Sequence, residues 1–246
     1  MINFSKISNK SFFGKLLRGF LTIIPDRMTV RILQGKLKGK KWIKGSGVNG
    51  YWLGSYESEQ VSIFEKELKD GDVFFDIGAN VGFYSLLAAE IIGKDGKVFS
   101  FEPLPENFKY LKKHIEINNY KNIFPFETAI SDKVGIAFLG NIINRSQGYL
   151  IDSGGLKVET ISIDEWVKEN KLPIPIIIKI DVEGAEMAVL NGVKNTMANN
   201  HPKIFLSTHS EELHKNCRDF LISLGYKLIP IGTDDIDKAA EILAKI

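Results

Sequence analysis

The feature that most constrains this chain is the stretch from Asp72 to Phe83, DVFFDIGANVGF. An apolar run of strand character, Val73, Phe74 and Phe75, ends in the acid Asp76. It passes through Gly78, Asn80 and Gly82 into the apolar helical pattern Leu86, Leu87, Ala88, Ala89. A strand that turns through glycines into a helix opens a nucleotide-type α/β site, because the glycines let backbone come close to a ligand at the helix N-terminus. The rest of the chain has to supply a sheet around that strand.

It does so in alternation. A helix with Val61, Phe64 and Leu68 on one face precedes the strand, with Lys69, Asp70 and Gly71 as its stop signal. The helix after the loop runs from about Gly82 to Ile92, and KVFSFE (Lys97 to Glu102) is a second strand. Pro105 starts the next helix, which carries Phe108, Leu111 and Ile115 inward and ends near Asn118 and Asn119. A third strand covers about Ile123 to Ala129. Period-two alternation from Val134 to Ile161, interrupted by Gly148, Gly154 and Gly155, predicts an inserted hairpin with a mobile loop at about 134–161.

Ser162 caps a short helix, IDEWVKEN, closed by Pro173. The run Ile174 to Ile180 is apolar at almost every position, as in a strand buried on both faces, and ends at Asp181. A helix from Ala185 to Met197 follows, then a strand from Lys203 to Thr208. A helix capped by Ser210 comes next, with Leu213, Cys217, Phe220, Leu221 and Leu224 inward. Tyr226 to Ile231 and Glu241 to Ile246 read as two more strands, the last with a helical alternative. Strands alternating with helices at this spacing predict an α/β fold, a mostly parallel sheet with helices on both faces and ligands at the carboxyl ends of the strands.

We expect one domain over 57–246, preceded by an extension over 1–56. In the extension Phe12, Phe13, Leu16, Leu17, Phe20, Leu21 and Ile24 share a helical face opposite Lys15 and Arg18. Docking of that helix on its own domain or on a second subunit is the favoured reading, since Gly14 and Gly19 weaken a free helix. Peripheral contact with an anionic membrane is the alternative. Arg31 to Ile43 makes a short hairpin, and GVNGYWLGSYESE, which follows, is placed over the site mouth.

Composition narrows the partners. With 246 residues, 44% of them hydrophobic, the chain can bury one large core. Its 32 basic and 30 acidic residues leave a net charge of +2, too little to gather nucleic acid, so no nucleic-acid partner is expected. Cys217 is the only cysteine, which rules out an intramolecular disulfide or a thiolate metal cluster. No apolar run approaches the roughly 20 residues of a membrane span. The cytoplasm is the default location, with the inner membrane face as the peripheral alternative, and the oligomeric state is left open.

Which ligand the loop takes follows from its details. A dinucleotide loop needs glycines at the first, third and sixth positions, but counting from Gly78 the third is Asn80 and the sixth is Phe83. The Lys-Ser/Thr of a phosphate-cradling loop is missing. Asp76 would repel a pyrophosphate and attract a cation, and S-adenosylmethionine (SAM) carries an ammonium and a sulfonium without phosphate. Glu102 ends the second strand about 20 residues after Gly82, where an acid accepts hydrogen bonds from both ribose hydroxyls. Ala129 falls beside the adenine by position alone. The alternatives are that Asp76 merely caps the turn and that Glu102 is a surface residue.

Three segments, DIGANVGFYSLLAA, FSFEPLPENF with the following Asn118 and Asn119, and IKIDVEGAE through Lys179 to Glu186, resemble the FkbM-type SAM-dependent methyltransferases. The resemblance covers about Gly71 to Ser210. It implies a class I methyltransferase fold with a seven-stranded sheet whose last strand is antiparallel, and methyl transfer to oxygen, often on sugars or polyketide-like products. It carries Asp76, Gly78, Asn80, Gly82 and Glu102 over as cofactor-binding positions. The chain departs at LSTHS, where Thr208 stands in place of an acid found in many relatives.

Methyl transfer from a sulfonium is an in-line displacement, so the protein mainly aligns the reactants, and an alcohol acceptor must also lose a proton. The tips of the fourth and fifth strands supply Asp181, Glu183, Glu186 and His209. The expected proton acceptor is His209, or a carboxylate of the Asp181 and Glu183 pair, because histidine titrates near working pH. A strand-end histidine bonded to backbone is an equal alternative. Glu183 and Glu186 are also candidates for acceptor contact and for fixing the loop. His114, His201 and His214 read as surface residues. Tyr51, Trp52 and Tyr56 can stack on a sugar ring or simply pack the mouth.

A divalent metal on Asp181, Glu183 and His209 is a further option for these oxygen and imidazole donors, but no tight ligand spacing indicates it. The expected activity is therefore O-methylation of a hydroxyl on a glycan, lipid-linked saccharide or secondary metabolite. Methylation of RNA or protein is disfavoured, since Asp181, Val182, Glu183, Gly184 is not an Asn/Asp-Pro-Pro-aromatic motif. A SAM-binding protein without turnover is the non-enzyme alternative.

Overall fold

The computed structural model describes residues 24–140, 149–151, 154–170 and 172–246. The amphipathic stretch through Leu21 and the middle of the inserted hairpin lie outside them.

The first strand of the central sheet, β3 (Val73–Ile77), follows β1 (Thr29–Arg31), β2 (Lys41–Ile43), α1 (Gly50–Leu53) and α2 (Ser58–Glu67). After it come α3 (Phe83–Ile92), β4 (Lys97–Phe101), α4 (Pro105–Asn118) and β5 (Ile123–Phe126). β6 (Ala129–Ile130), β7 (Gly135–Gly140), β8 (Tyr149–Ile151) and β9 (Leu156–Ile161) lead to α5 (Ile163–Asn170). The chain closes with β10 (Ile177–Ile180), α6 (Glu186–Gly192), α7 (Lys194–Asn200), β11 (Lys203–Ser207), α8 (Glu211–Ser223), β12 (Lys227–Ile231) and β13 (Glu241–Lys245).

Seven strands form the main sheet in the order β12-β13-β11-β10-β3-β4-β5, and β13 runs antiparallel to both neighbours. This is the α/β, class I methyltransferase architecture that the resemblance implies. Alternation along each strand sends neighbouring side chains to opposite faces. Phe74 joins Phe64, Leu86 and Phe205 under α2 and α3, while Phe75 and Ile77 join Val189, Leu190, Met197 and Leu221 under α5 to α8. Each such side chain contributes roughly 1.5–3 kcal/mol by leaving water. Ile32, Leu37, Trp42 and Leu53 pack into the same cluster as Phe74.

Several elements depart from what the sequence predicts. The third strand divides: β5 stays in the main sheet, but Ala129 and Ile130 pair with β9 in a separate four-stranded sheet of order β6-β9-β7-β8. Thr128 holds that crossover by donating from its hydroxyl to the Glu159 carbonyl at 3.0 Å. The buried strand begins only at Ile177, leaving Ile174, between Pro173 and Pro175, and Ile176 exposed. The expected helix from Ala185 to Met197 is two helices that break at Val193. There the Asp164 carboxylate caps the second, accepting from the Asn195 and Thr196 N–H groups at 2.7 and 2.8 Å. A capping side chain from another element overrides helical periodicity.

His114 and His214 are buried, contrary to the surface placement expected of them. His114 stacks on Trp42 at 3.9 Å, accepts the Ile43 N–H on Nε2 at 3.0 Å and has Nδ1 2.8 Å from the Val81 carbonyl, and burial pushes its pKa down to about 4. It fastens the N-terminal hairpin to the α3 loop. His214 lies between the Ile236 carbonyl and the Thr208 hydroxyl, so the residue replacing the family's acid has a partner of its own. Among the described residues no helix is long and apolar enough to cross a membrane.

Candidate active site

A cavity of about 310 Å³ opens at the carboxyl ends of β3, β4 and β10. Its wall includes Asp76, Gly78, Asn80, Glu102 and Ala129 on one side and Tyr51, Tyr56, Lys179, Asp181 and Glu183 on the other. The fold thus brings most of the predicted site residues together. Gly82, Trp52, Glu186 and His209 are not in the wall.

The first side is built from backbone. Gly78 has φ 81°, and a Cβ there would sit 1.9 Å from the Asp181 carbonyl oxygen, so only glycine fits. Asn80, at φ 50°, folds its side chain back to accept the Val81 N–H at 2.8 Å. Its own N–H donates to Glu102 Oε2 at 2.7 Å, while Glu102 Oε1 accepts from the Leu104 N–H at 2.9 Å. One carboxylate therefore ties the two loops together. Burial pushes its pKa up to about 7 against those backbone donors. Gly82 serves packing instead: it is the N-cap of α3, and a Cβ would meet Leu111 at 2.6 Å.

A buried polar seam crosses the sheet face. In register, Asp76 is opposite Ser100 on one side and Lys179 on the other, which places all three on one face. The Ser100 hydroxyl donates to Ser85, and Ser85 donates to Asp76 Oδ2 at 2.5 Å. Burial raises the Asp76 pKa, opposed chiefly by the Lys179 charge. The ammonium of Lys179 donates to Asp181 Oδ2 at 2.9 Å and lies 4.7 Å from the Tyr84 ring centroid. Burial would neutralise it, but the Asp181, Asp76 and Glu57 carboxylates hold its pKa above the ordinary lysine value. Burial acts on Asp181 too, yet Lys179 outweighs it and keeps that carboxyl below its usual range.

The acid and histidine cluster lies at the rim. His209 Nδ1 is 2.6 Å from Oε1 of the fully buried Glu186, which also accepts the Gly184 N–H at 3.0 Å. Nε2 faces Asp181 Oδ1 at 3.6 Å and Glu183 Oε2 at 3.4 Å. The Glu186 hydrogen bond, against desolvation and helped by Glu183 and Asp181, raises the His209 pKa. Burial raises that of Glu183, opposed by His209. Asp181, Glu183 and His209 each offer one ligand atom, all within 4.8 Å of one another, so the fold supplies a convergence that sequence spacing hides. Oxygen and imidazole donors suit a divalent cation. An imidazolium in the same place satisfies the same carboxylates.

The aromatic side corrects one expectation. Trp52 does not face the cavity: it is 5% exposed and its indole N–H donates to Asn49 Oδ1 at 3.1 Å. Neighbours on a helix point about 100° apart, so Tyr51 and Trp52 cannot share a face. Tyr51 faces the cavity with Tyr56 and Phe83, at 5.2 Å from Phe83 and 4.4 Å from Tyr56. Burial pushes the Tyr51 pKa up to about 12 and raises that of Tyr56 further. Lys179 was missed as a site residue, because a lysine inside an apolar strand carries no local signal of what it faces.

Residues 76–228, more than half of the chain, match the family described as Methyltransferase FkbM domain. The chain is similar to Hexuronic acid methyltransferase AglP of Haloferax volcanii, 29% identical over 143 residues, which are 57% of this chain and 58% of that protein. It is also similar to 2-O-methyltransferase NoeI of Sinorhizobium fredii, 29% identical over 157 residues, 56% of this chain and 62% of that one. The matches span less than two thirds of either relative. Among solved structures, Methyltransferase FkbM from Methylobacillus flagellatus aligns with TM-score 0.52 at 14% identity, over 81% of this chain and 56% of that one. Aeropyrum pernix fibrillarin, in complex with natively bound S-adenosyl-L-methionine, aligns with TM-score 0.50 at 13% identity, over 76% and 73%. At such identities these structures speak for the fold alone.

Proposed function

The chain belongs to the FkbM methyltransferase family, and from that premise we propose that it is a SAM-dependent O-methyltransferase acting on a sugar hydroxyl. One observation carries the reading: the glycine cradle and the proton-handling cluster touch, with Gly78 pressed against the Asp181 carbonyl. A cofactor and an acceptor held by these two walls share one cavity.

SAM, when bound, supplies a methyl group on positively charged sulfur. The wall fits it: glycine backbone, no phosphate-binding side chain, and a Glu102 carboxylate that gives one lone pair on each oxygen to backbone N–H. The remaining lone pairs accept from ribose hydroxyls. Asp76, Gly78 and Asn80 shape the amino-acid end of the site, and Ala129 lies against the adenine. Tyr51 and Tyr56 form the face on which a sugar ring stacks.

The acceptor hydroxyl gives its proton to the Asp181 and His209 pair, and the proton comes to rest on His209, whose affinity for it is raised. Glu183 contacts the acceptor, and Glu186 orients the imidazole. Two relatives, one a hexuronic acid methyltransferase and one a 2-O-methyltransferase, support a sugar acceptor. We take 57–246 as the catalytic domain and 1–56 as the extension, of which Val48, Tyr51 and Tyr56 close the mouth.

Methyl-labelled SAM incubated with fractionated glycans, lipids and small metabolites tests the reading. A labelled sugar ether is the expected product. Label only in protein or RNA, or no SAM affinity by titration, overturns it.

A further inference from the structure

The cavity wall holds a buried cation, Lys179. Lys179 is 2% exposed and stands on β10 between Ile178 and Ile180, which turn into the opposite helix layer. Among the described residues it is the only cationic side chain in the wall. Its ammonium has three N–H donors. Asp181 is its one hydrogen-bond acceptor and one ion-pair partner among the described residues, and the Tyr84 ring accepts no more than charge. A buried cation with spare donors on a cavity wall is poised for an oxygen that enters that cavity.

We propose that Lys179 is a further catalytic residue, whose spare N–H groups hold the acceptor oxygen and stabilise the negative charge that gathers there as its proton leaves. This rests on the methyl-transfer-to-oxygen reading above. A neutral hydroxyl is a weak nucleophile, and a fixed donor aimed at developing charge in a water-poor site acts far more strongly than in water. The step balances without further reactants. The acceptor O–H proton goes to the Asp181 and His209 pair, the O–CH3 bond forms, and the S–CH3 bond breaks with its electron pair kept by sulfur as a neutral thioether. Lys179 keeps all its protons. Its companion Asp181 joins the two jobs, since Oδ2 takes the Lys179 N–H while Oδ1 faces His209.

The bland alternative is a counter-ion that only neutralises Asp76 and Asp181. Lys179→Ala separates the two, because it leaves a gap open to the cavity that a small amine can refill. Turnover is read on whichever fraction takes label from methyl-labelled SAM, and SAM affinity by calorimetric titration. The expected result is a loss of turnover of about a hundredfold or more, the scale of removing one such donor, with SAM affinity nearly unchanged. Propylammonium should restore turnover in a saturable way and propanol should not. If the alanine gap unfolds the protein, Lys179→Met must show the same loss with SAM still bound.

Full turnover in Lys179→Met, or turnover and SAM affinity falling together without amine rescue, overturns the inference. Label on a non-sugar oxygen overturns the sugar reading and leaves Lys179 to be read on that acceptor. Label on nitrogen or carbon, or no label at all, overturns both.

Discussion

The two walls of the cavity are made of different material. The β3 and β4 wall comes from one strand-loop-helix-strand segment, Asp76 to Glu102, and presents backbone, glycine and a single tied carboxylate to the cavity. The other wall draws Tyr51, Tyr56, Lys179, Asp181 and Glu183 from distant parts of the chain, with His209 at its rim, and presents side chains. Steric fit governs the first wall and charge the second. Substitutions in one should therefore move binding of the cofactor, and in the other turnover.

The largest effect is expected where the walls touch. Gly78→Ala drives a Cβ into the Asp181 carbonyl, and cofactor affinity by calorimetric titration should fall by more than about a hundredfold, with a lower melting temperature. Gly184→Ala is the control: it has φ 106° as well, but nothing lies within 4 Å, so the cost is only the roughly 1–2 kcal/mol of left-handed backbone. Equal effects from the two would mean that strain, and not the contact between walls, matters at Gly78.

Next, His209→Ala should lower turnover by about 10²–10⁴, the range for a lost general base, with SAM affinity intact. Full turnover at neutral pH would remove His209 from that role. Glu186→Gln sharpens the point. Turnover needs neutral His209, so it should rise with pH through the raised His209 pKa, and losing the Glu186 bond should move that limb to lower pH. The same linkage gives a stability contribution fully present below the unfolded histidine pKa and lost as pH rises through the folded one. Turnover at high pH should fall by about 10-fold, the lower end for a lost orienting carboxylate. An unmoved limb would leave Glu186 a purely structural residue.

Tyr56→Leu should raise the acceptor KM by about fivefold, equivalent to about 1 kcal/mol for a lost stacking face, without touching SAM affinity. The smallest effect is expected from a chelator, which should leave turnover unchanged, since the proton transfer proposed above uses Asp181 and His209 without a metal. Loss on chelation and recovery with magnesium would turn that cluster into a metal centre.

Much of this was legible in the chain. Strand-loop-helix alternation reports local preference, and the main sheet follows it from β3 through β13. Where it failed, a contact from elsewhere decided. Asp164 capped a helix its own sequence would have continued. β9 drew Ala129 out of the third strand to pair with it beside Ile130, and His114 was buried by a hairpin far away in sequence. Trp52 and Tyr51 looked alike as aromatic neighbours until the α1 backbone turned one inward and one to the cavity.

By itself the sequence determined the glycine loop, its acid and the Glu102 that ties it, because these act through backbone conformation within one short segment. Only the tertiary structure decided that Lys179 stands beside Asp76 on the neighbouring strand, that Glu186 holds His209, and that Asp181 stands between Lys179 and His209. Strand register and the burial of charge set those pairings, and neither is a property of any single stretch of chain.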